Sequence, residues 1–262
     1  MQPDGLPVFV LAGGSRSGST LVQRLLLSTG EIMVWGEHAG ILLESMQRML
    51  AGMRDWVDLK GAHHLERFSR EGWNAWIPNV NPPYEAFIAG ARAALVKSLA
   101  VPAARMGYRR WGFKETRYNG AAAALLKTLF PASSIIVLVR HPGDALRSIK
   151  GTSWYASDYG ARPEAFLAAW VANSSSLAAS ASQLGGVLML RYEDLIADPN
   201  KAVAMIAEHV GIERHRFDQA AIATRLRGTG LEAAPLDADD RAALAASEVR
   251  QAADALGYDL AP

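Results

Sequence analysis

Residues 13–20 read G-G-S-R-S-G-S-T, which has the spacing of a phosphate-cradling loop, G-x-x-x-x-G-K-[ST]. An apolar run, VFVLA (8–12), leads into it, and a helical pattern, TLVQRLLLSTG (20–30), follows. A strand, a glycine turn and a helix N-terminus make an anion site, because backbone N–H groups converge there and the helix dipole favours negative charge. Gly13, Gly14 and Gly18 let the backbone approach a ligand closely. Ser15, Ser17, Ser19 and Thr20 add hydroxyl donors, and Arg16 supplies one positive charge as a planar fork suited to a tetrahedral anion. The lysine that neutralises β and γ phosphates in nucleoside-triphosphate enzymes is missing, and Ser19 stands in its place. The partner run SIIVLVR (134–140) ends on Arg140, where such enzymes carry an acid for Mg²⁺. Both changes imply a ligand with less charge at this end than a triphosphate, and no metal.

A second anion site begins at Arg140. Pro142 suits the first turn of a helix, and Ser148 then lies two turns along, with Arg147 and Lys150 as neighbours. Arg140 and Ser148 could meet one phosphate together. Two anion sites at one sheet edge describe a nucleotide phosphorylated at both ends of its ribose. Further chemistry-bearing residues sit at strand ends: Glu37 and His38 in WGEH (35–38), and Lys114 in GFKETR (112–117). A basic, glycine-containing stretch, RLRGTG (225–230), carries Arg225 and Arg227. His63 and His64 do not form a metal site by this reading, since adjacent helical residues do not share a face and no third ligand is evident. Trp56, Trp73, Trp76 and Trp154 fit either an acceptor pocket or ordinary packing.

The elements that must position these residues alternate. Strand-type runs at 8–12, 31–35, 109–115, 134–140 and 186–192 are separated by helical patterns near 39–54, 84–100, 119–129, 142–150, 163–183 and 199–210. That alternation implies a mostly parallel sheet covered on both faces. Residues 55–83 break the rhythm and are too few for a core of their own, so they read as a helical insertion over the sheet. The tail 234–257 reads as one closing helix with Asp237 as its N-cap. The 262 residues are 50% apolar, enough for a sizeable core. With 27 basic and 26 acidic residues there is no global pull toward nucleic acid or an anionic membrane. Cysteine is absent, so disulfide and thiolate chemistry are excluded. The N-terminus has no signal-peptide pattern and no run offers a membrane span, so a cytoplasmic location is the expectation.

Taken together, GGSRSGSTL, VRHPGDALRS and RYEDLIADP (191–199) resemble three motifs of sulfotransferases that use 3′-phosphoadenosine 5′-phosphosulfate (PAPS), in the family's order. The resemblance implies a P-loop-type three-layer α/β sandwich with a mostly parallel sheet. It also implies one domain over 1–262, with a helical lid at about 45–105 over the acceptor site. Ser15, Arg16, Ser17, Gly18, Ser19 and Thr20 would hold the 5′-phosphosulfate, and Arg140 and Ser148 the 3′-phosphate. Tyr192 falls where a family tyrosine approaches the nucleotide, and Arg225 and Arg227 fall in a late loop that grips the 3′-phosphate. A sulfuryl end has less charge than a terminal phosphate pair, which accounts for the missing lysine and an expected absence of metal. Gly36-Glu37 resembles the pair of tyrosylprotein sulfotransferases, whose glutamate is the base; His38 is the rival base. GFKETR resembles an Asn-Lys-Asp-Pro segment whose lysine reaches the donor, so Lys114 would face the leaving oxygen, although Phe113 and Glu115-Thr116 depart from that pattern. The expectation is in-line transfer from PAPS to an acceptor hydroxyl, with 3′,5′-ADP (PAP) as product. The acceptor is a small molecule or, alternatively, a peptide tyrosine. Nucleic acid is not an expected partner, and a homodimer is left open. A P-loop nucleotide kinase and a non-catalytic nucleotide-binding protein are the competing readings.

Overall fold

Five short strands form one wholly parallel sheet: β1 (Val8–Ala12), β2 (Ile32–Trp35), β3 (Arg110–Glu115), β4 (Ser134–Val139) and β5 (Val187–Arg191), in the order β2-β3-β1-β4-β5. This computed structural model describes residues 6–57, 61–223 and 234–260. The helices are α1 (Ser19–Leu27), α2 (Ile41–Trp56), α3 (Ala62–Glu71), α4 (Tyr84–Leu95), α5 (Val101–Arg105), α6 (Gly120–Leu129) and α7 (Pro142–Lys150). They continue with α8 (Ser153–Tyr159), α9 (Pro163–Gln183), α10 (Tyr192–Ala197), α11 (Pro199–Val210), α12 (Ala220–Ala223), α13 (Ala238–Leu244) and α14 (Ser247–Ala255).

The alternation of side chains along a strand explains why β1 and β4 are unbroken apolar runs. Phe9 and Leu11 of β1, with Ile135 and Val137 of β4, face a core built with α2, α4, α6, α9 and α14. Val8, Val10, Ile136 and Leu138 face the opposite way, into a core shared with α1, α10 and α11. Both faces are covered, so polar alternation has no place in these strands. The strand order changes direction around β1, which lies between β3 and β4. Loops leaving the carboxyl ends of these three strands therefore open onto one crevice, where open α/β sheets bind ligands.

Several expectations need correction. The closing helix is two, α13 and α14, because Ala246 adopts an extended ψ of 141° between them. Asp237 does cap α13, in a reciprocal capping box with Asp240. The helix begun at Tyr84 does not stop near residue 100. It passes through a π-helical turn, Val96–Ala100, into α5. Widening the turn accommodates Pro102, whose ring would clash with a regular helix. The resulting helix, Tyr84–Arg105, has 22 residues, and an 18-residue window within it reaches a mean hydropathy of 1.4, long and apolar enough by composition to cross a membrane. Ala91, Leu95, Ala100 and Ala103 on one side of it are buried in the protein core.

Candidate functional site

The loop between β1 and α1 is tied down at its base. Gly13 N–H donates to Leu138 O of β4 (2.9 Å), and Gly13 O accepts from the buried Ser174 hydroxyl of α9 (2.8 Å). A Cβ on Gly13 would lie 2.2 Å from Ser174 Oγ, and one on Gly18 would lie 2.3 Å from Tyr192 Cδ2, so both positions need glycine for space. Gly18 also has a φ of 88°. Arg16, in contrast, is a non-glycine residue at φ 65°, a strain that clusters at functional sites. Gly18 caps α1 without a side-chain hydrogen bond, and the first turn carries no acid. The Ser17 hydroxyl is buried without a partner among the described residues.

Arg140 leaves β4 beside this loop. Its guanidinium donates to Arg16 O (2.9 Å) and lies 4.5 Å from the centre of the Tyr192 ring, while its buried Nε has no partner among the described residues. Trp170 of α9 donates its indole N–H to Arg140 O (3.1 Å). Arg16 Nε donates to Ser148 Oγ of α7 (2.9 Å), so the two anion motifs interlock. Neither Arg16 nor Arg140 takes part in an ion pair among the described residues. Burial, then repulsion from Arg140, lowers the Arg16 pKa, partly offset by Tyr192. Two cations without a carboxylate between them favour an anionic ligand. Lys150 is not part of this site. It binds Asp237 (2.7 Å) and Asp240 and so anchors α13. Arg147 pairs at 3.7 Å with Asp144.

The other wall is built at the ends of β2 and β3. Lys114 Nζ contacts Glu37 Oε1 directly in an ion pair. Thr116 Oγ1 donates to Glu37 Oε2 (3.4 Å), and Arg117 lies 3.7 Å from the same oxygen. Arg117 also pairs with Asp158 of α8 (2.9 Å). Tyr159, the next residue of α8, shares a hydroxyl contact with Ser15 (3.2 Å). This short helix thus touches both walls. The His38 ring packs edge-on against Phe113, 5.0 Å between centres. Burial lowers its pKa, with Glu115 and Glu37 opposing the shift.

Between the walls lies a cleft of about 740 Å³. It brings together nine of the expected catalytic and nucleotide-binding residues: Ser15, Arg16, Gly18, Ser19, Thr20, Glu37, Lys114, Arg140 and Tyr192. Five basic side chains (Arg16, Arg24, Lys114, Arg117, Arg140) line it against two acidic ones (Glu37, Asp158), in a chain whose formal charge is +1. The sequence profile of the sulfotransferase family matches residues 7–216. The chain belongs to the sulfotransferase family.

Solved structures share this sulfotransferase fold. The sulfotransferase domain of the Synechococcus PCC 7002 olefin synthase is 19% identical, with 100% of this chain and 99% of that one covered and a TM-score of 0.53. The sulfotransferase domain from the curacin biosynthetic pathway is 17% identical (98% and 100% covered, TM-score 0.52). A sulfotransferase from Alicyclobacillus acidocaldarius is 16% identical (97% and 97% covered, TM-score 0.53). No curated protein sequence gives a significant match.

In this sulfotransferase some expected residues stand apart from the cleft. Ser17 is buried within the loop, Ser148 reaches the site through Arg16, and the His38 ring packs against Phe113. Arg225 and Arg227 lie outside the described residues. Of the four tryptophans only Trp154 lines the cleft, while Trp73 and Trp76 are 83% and 73% exposed and so pack against little. No described residue of the 45–105 insertion lines it. The His63 and His64 rings do meet edge to face, 5.7 Å between centres. Among the described residues no group of three His, Cys, Asp or Glu side chains could hold a metal ion. Sequence reasoning missed Thr116, Arg117, Asp158 and Tyr159, together with the supports Glu115, Trp170 and Ser174. Only Glu115 carried a signal, as a departure, with Thr116, from the Asn-Lys-Asp-Pro pattern around Lys114.

Proposed function

We propose that this sulfotransferase takes its sulfuryl group from PAPS and passes it to a hydroxyl of a small-molecule acceptor, with Glu37 as general base. The observation that carries this reading is the contact of Glu37 with Lys114 in the same cleft as the Ser15–Thr20 loop. The residues present fit the donor. Two guanidiniums without a carboxylate partner among the described residues, and a helix start without a side-chain cap or an acid in its first turn, suit an anion. When bound, PAPS supplies an electrophilic sulfur with PAP as leaving group. The loop and the start of α1 hold the 5′ end, Arg140 holds the 3′-phosphate together with Ser148, which reaches the site through Arg16, and Tyr192 approaches the nucleotide. Glu37 accepts the hydroxyl proton as the new O–S bond forms and the bridging S–O bond breaks, an effect of about 10²–10⁴-fold in rate. Lys114 faces the negative charge that develops on the leaving oxygen.

The cleft volume of about 740 Å³ is that of a small-molecule site. Trp154, Ile196 and Ile222 give it an apolar wall. The excess of basic side chains favours the second acceptor class, an acidic peptide carrying tyrosine. PAPS carrying radioactive sulfur, incubated with the protein and a fractionated extract, separates the two by the size class of the labelled fraction. Label that moves equally well with Glu37→Gln would remove Glu37 as base. Binding of ATP with Mg²⁺ but not of PAP in calorimetry would replace this reading with that of a nucleotide kinase.

A further inference from the structure

Glu115, the last residue of β3, is fully buried, and none of the ion pairs among the described residues includes it. A carboxylate in that setting needs donors of another kind. It has four. Oε2 accepts from the backbone N–H of His38 (2.8 Å) and Gly40 (3.1 Å), and Oε1 from those of Thr116 (2.9 Å) and Arg117 (3.3 Å). The first pair lies in the turn after β2 and the second in the turn after β3. One side chain thus clamps the two turns that carry Glu37 and its contacts. His38 follows Glu37 directly, Lys114 precedes Glu115, and the side chains of Thr116 and Arg117 both reach Glu37. Neighbouring side chains of a strand point to opposite faces, so Lys114 enters the cleft while Glu115 stays beneath it. The clamped turn is strained at Ala39, a non-glycine residue at φ 53°, beside Gly40, which takes φ 76° freely. Such a conformation persists only where its surroundings hold it.

We propose that Glu115 is a positioning residue, which fixes Glu37 against Lys114 by tying both turns to one carboxylate. The inference rests on the reading of Glu37 as base. Glu115→Gln tests it, because an amide keeps one acceptor oxygen and turns an N–H group toward the other pair of donors. One turn is then released. In the free protein, hydrogen exchange should accelerate at residues 38 and 40 or at 116 and 117, with the remaining strands unchanged. PAP affinity by calorimetry should hold within about a factor of two. Turnover, read with labelled PAPS and the accepting fraction, should fall about 10²-fold, the scale of a misplaced catalytic group. In a Glu37→Gln background the same change should alter turnover by no more than about a factor of two, since nothing remains to be positioned. Wild-type turnover in Glu115→Gln overturns the inference, and so does an equal loss in both backgrounds. Wild-type turnover in Glu37→Gln alone removes the base reading, and the inference with it, without reference to Glu115. Should Glu115→Gln not fold, Glu115→Asp, which draws both oxygens back by one methylene, carries the same comparison.

Discussion

Replacing Arg16 by glycine should separate stability from donor binding. Arg16 sits at φ 65°, a conformation that costs an L-residue about 1–2 kcal/mol. Glycine relieves that strain but makes the unfolded chain more flexible, at about 0.5–1 kcal/mol. The change also removes the hydrogen bond to Ser148, a net loss of about 0.5–1.5 kcal/mol. These contributions nearly cancel, and loss of the cation beside Arg140 removes a repulsion. The free protein should therefore melt within about 4 °C of wild type. Binding should behave differently. A hydrogen bond to a charged group is worth about 1.5–3 kcal/mol, or roughly 10- to 150-fold in affinity. At a PAP concentration about 100 times the wild-type Kd, the ligand stabilises the parent by about 2.7 kcal/mol. A variant with a Kd about 100-fold weaker gains only about 0.4 kcal/mol at that concentration. Melting with and without PAP, beside Ser148→Ala as a control for the lost hydrogen bond, reads both quantities. An undiminished PAP-induced shift would refute the reasoning, as would a free protein that melts far lower than wild type, since Arg16 would then be a structural strut.

Lys114→Met should lower turnover by about 10²–10³-fold with PAP affinity nearly kept, and rapid transfer by that variant would exclude Lys114 as the leaving-group partner. Gly18→Ala places a Cβ 2.3 Å from Tyr192 Cδ2 at φ 88°, so it should displace the ring and weaken PAP binding; unchanged calorimetry would count against Tyr192 as part of the nucleotide site. Burial lowers the pKa of both His38 and His209 from 6.5. Below that value the unfolded chain binds protons that the folded histidines resist, so their contribution is complete above about pH 6.5 and is lost as the pH falls toward the folded values. Urea unfolding at about pH 7.5 and about pH 5.5 should show a shallower acid loss in His209→Gln; identical slopes would mean that His209 does not contribute.

The sheet was legible because β1 and β4 are buried on both faces and read as unbroken apolar runs. Helix ends were harder. Residues 238–255 are rich in alanine, which favours helix and gives no sign of the break at Ala246. Tyr192–Ala197 follows β5 without any breaker, so α10 passed unnoticed behind a strand pattern. The helical pattern near 84–100 stops short of Pro102, but the π turn before that proline carries the helix through. In the site, the residues found were those held in contiguous motifs. Asp158, Tyr159, Trp170 and Ser174 were not, because each acts on a partner 30 or more positions away, and nothing local distinguishes them from packing or surface residues. Lys150, noted in sequence only as a neighbour of Ser148, has its charge neutralised by Asp237 and Asp240 at the start of α13.

Trp170 and Ser174 stand four residues apart on α9, hence on one side of it and about 6 Å apart along its axis. One holds the carbonyl of Arg140 and the other that of Gly13. The helix is in effect a ruler laid under the two loops, and it sets the gap between them before any ligand arrives. A single residue inserted between these two positions would rotate one mark by about 100° relative to the other. Sequence drift can therefore act freely on the exposed side of α9, while the length between its two marks is held to that of the molecule the loops must span.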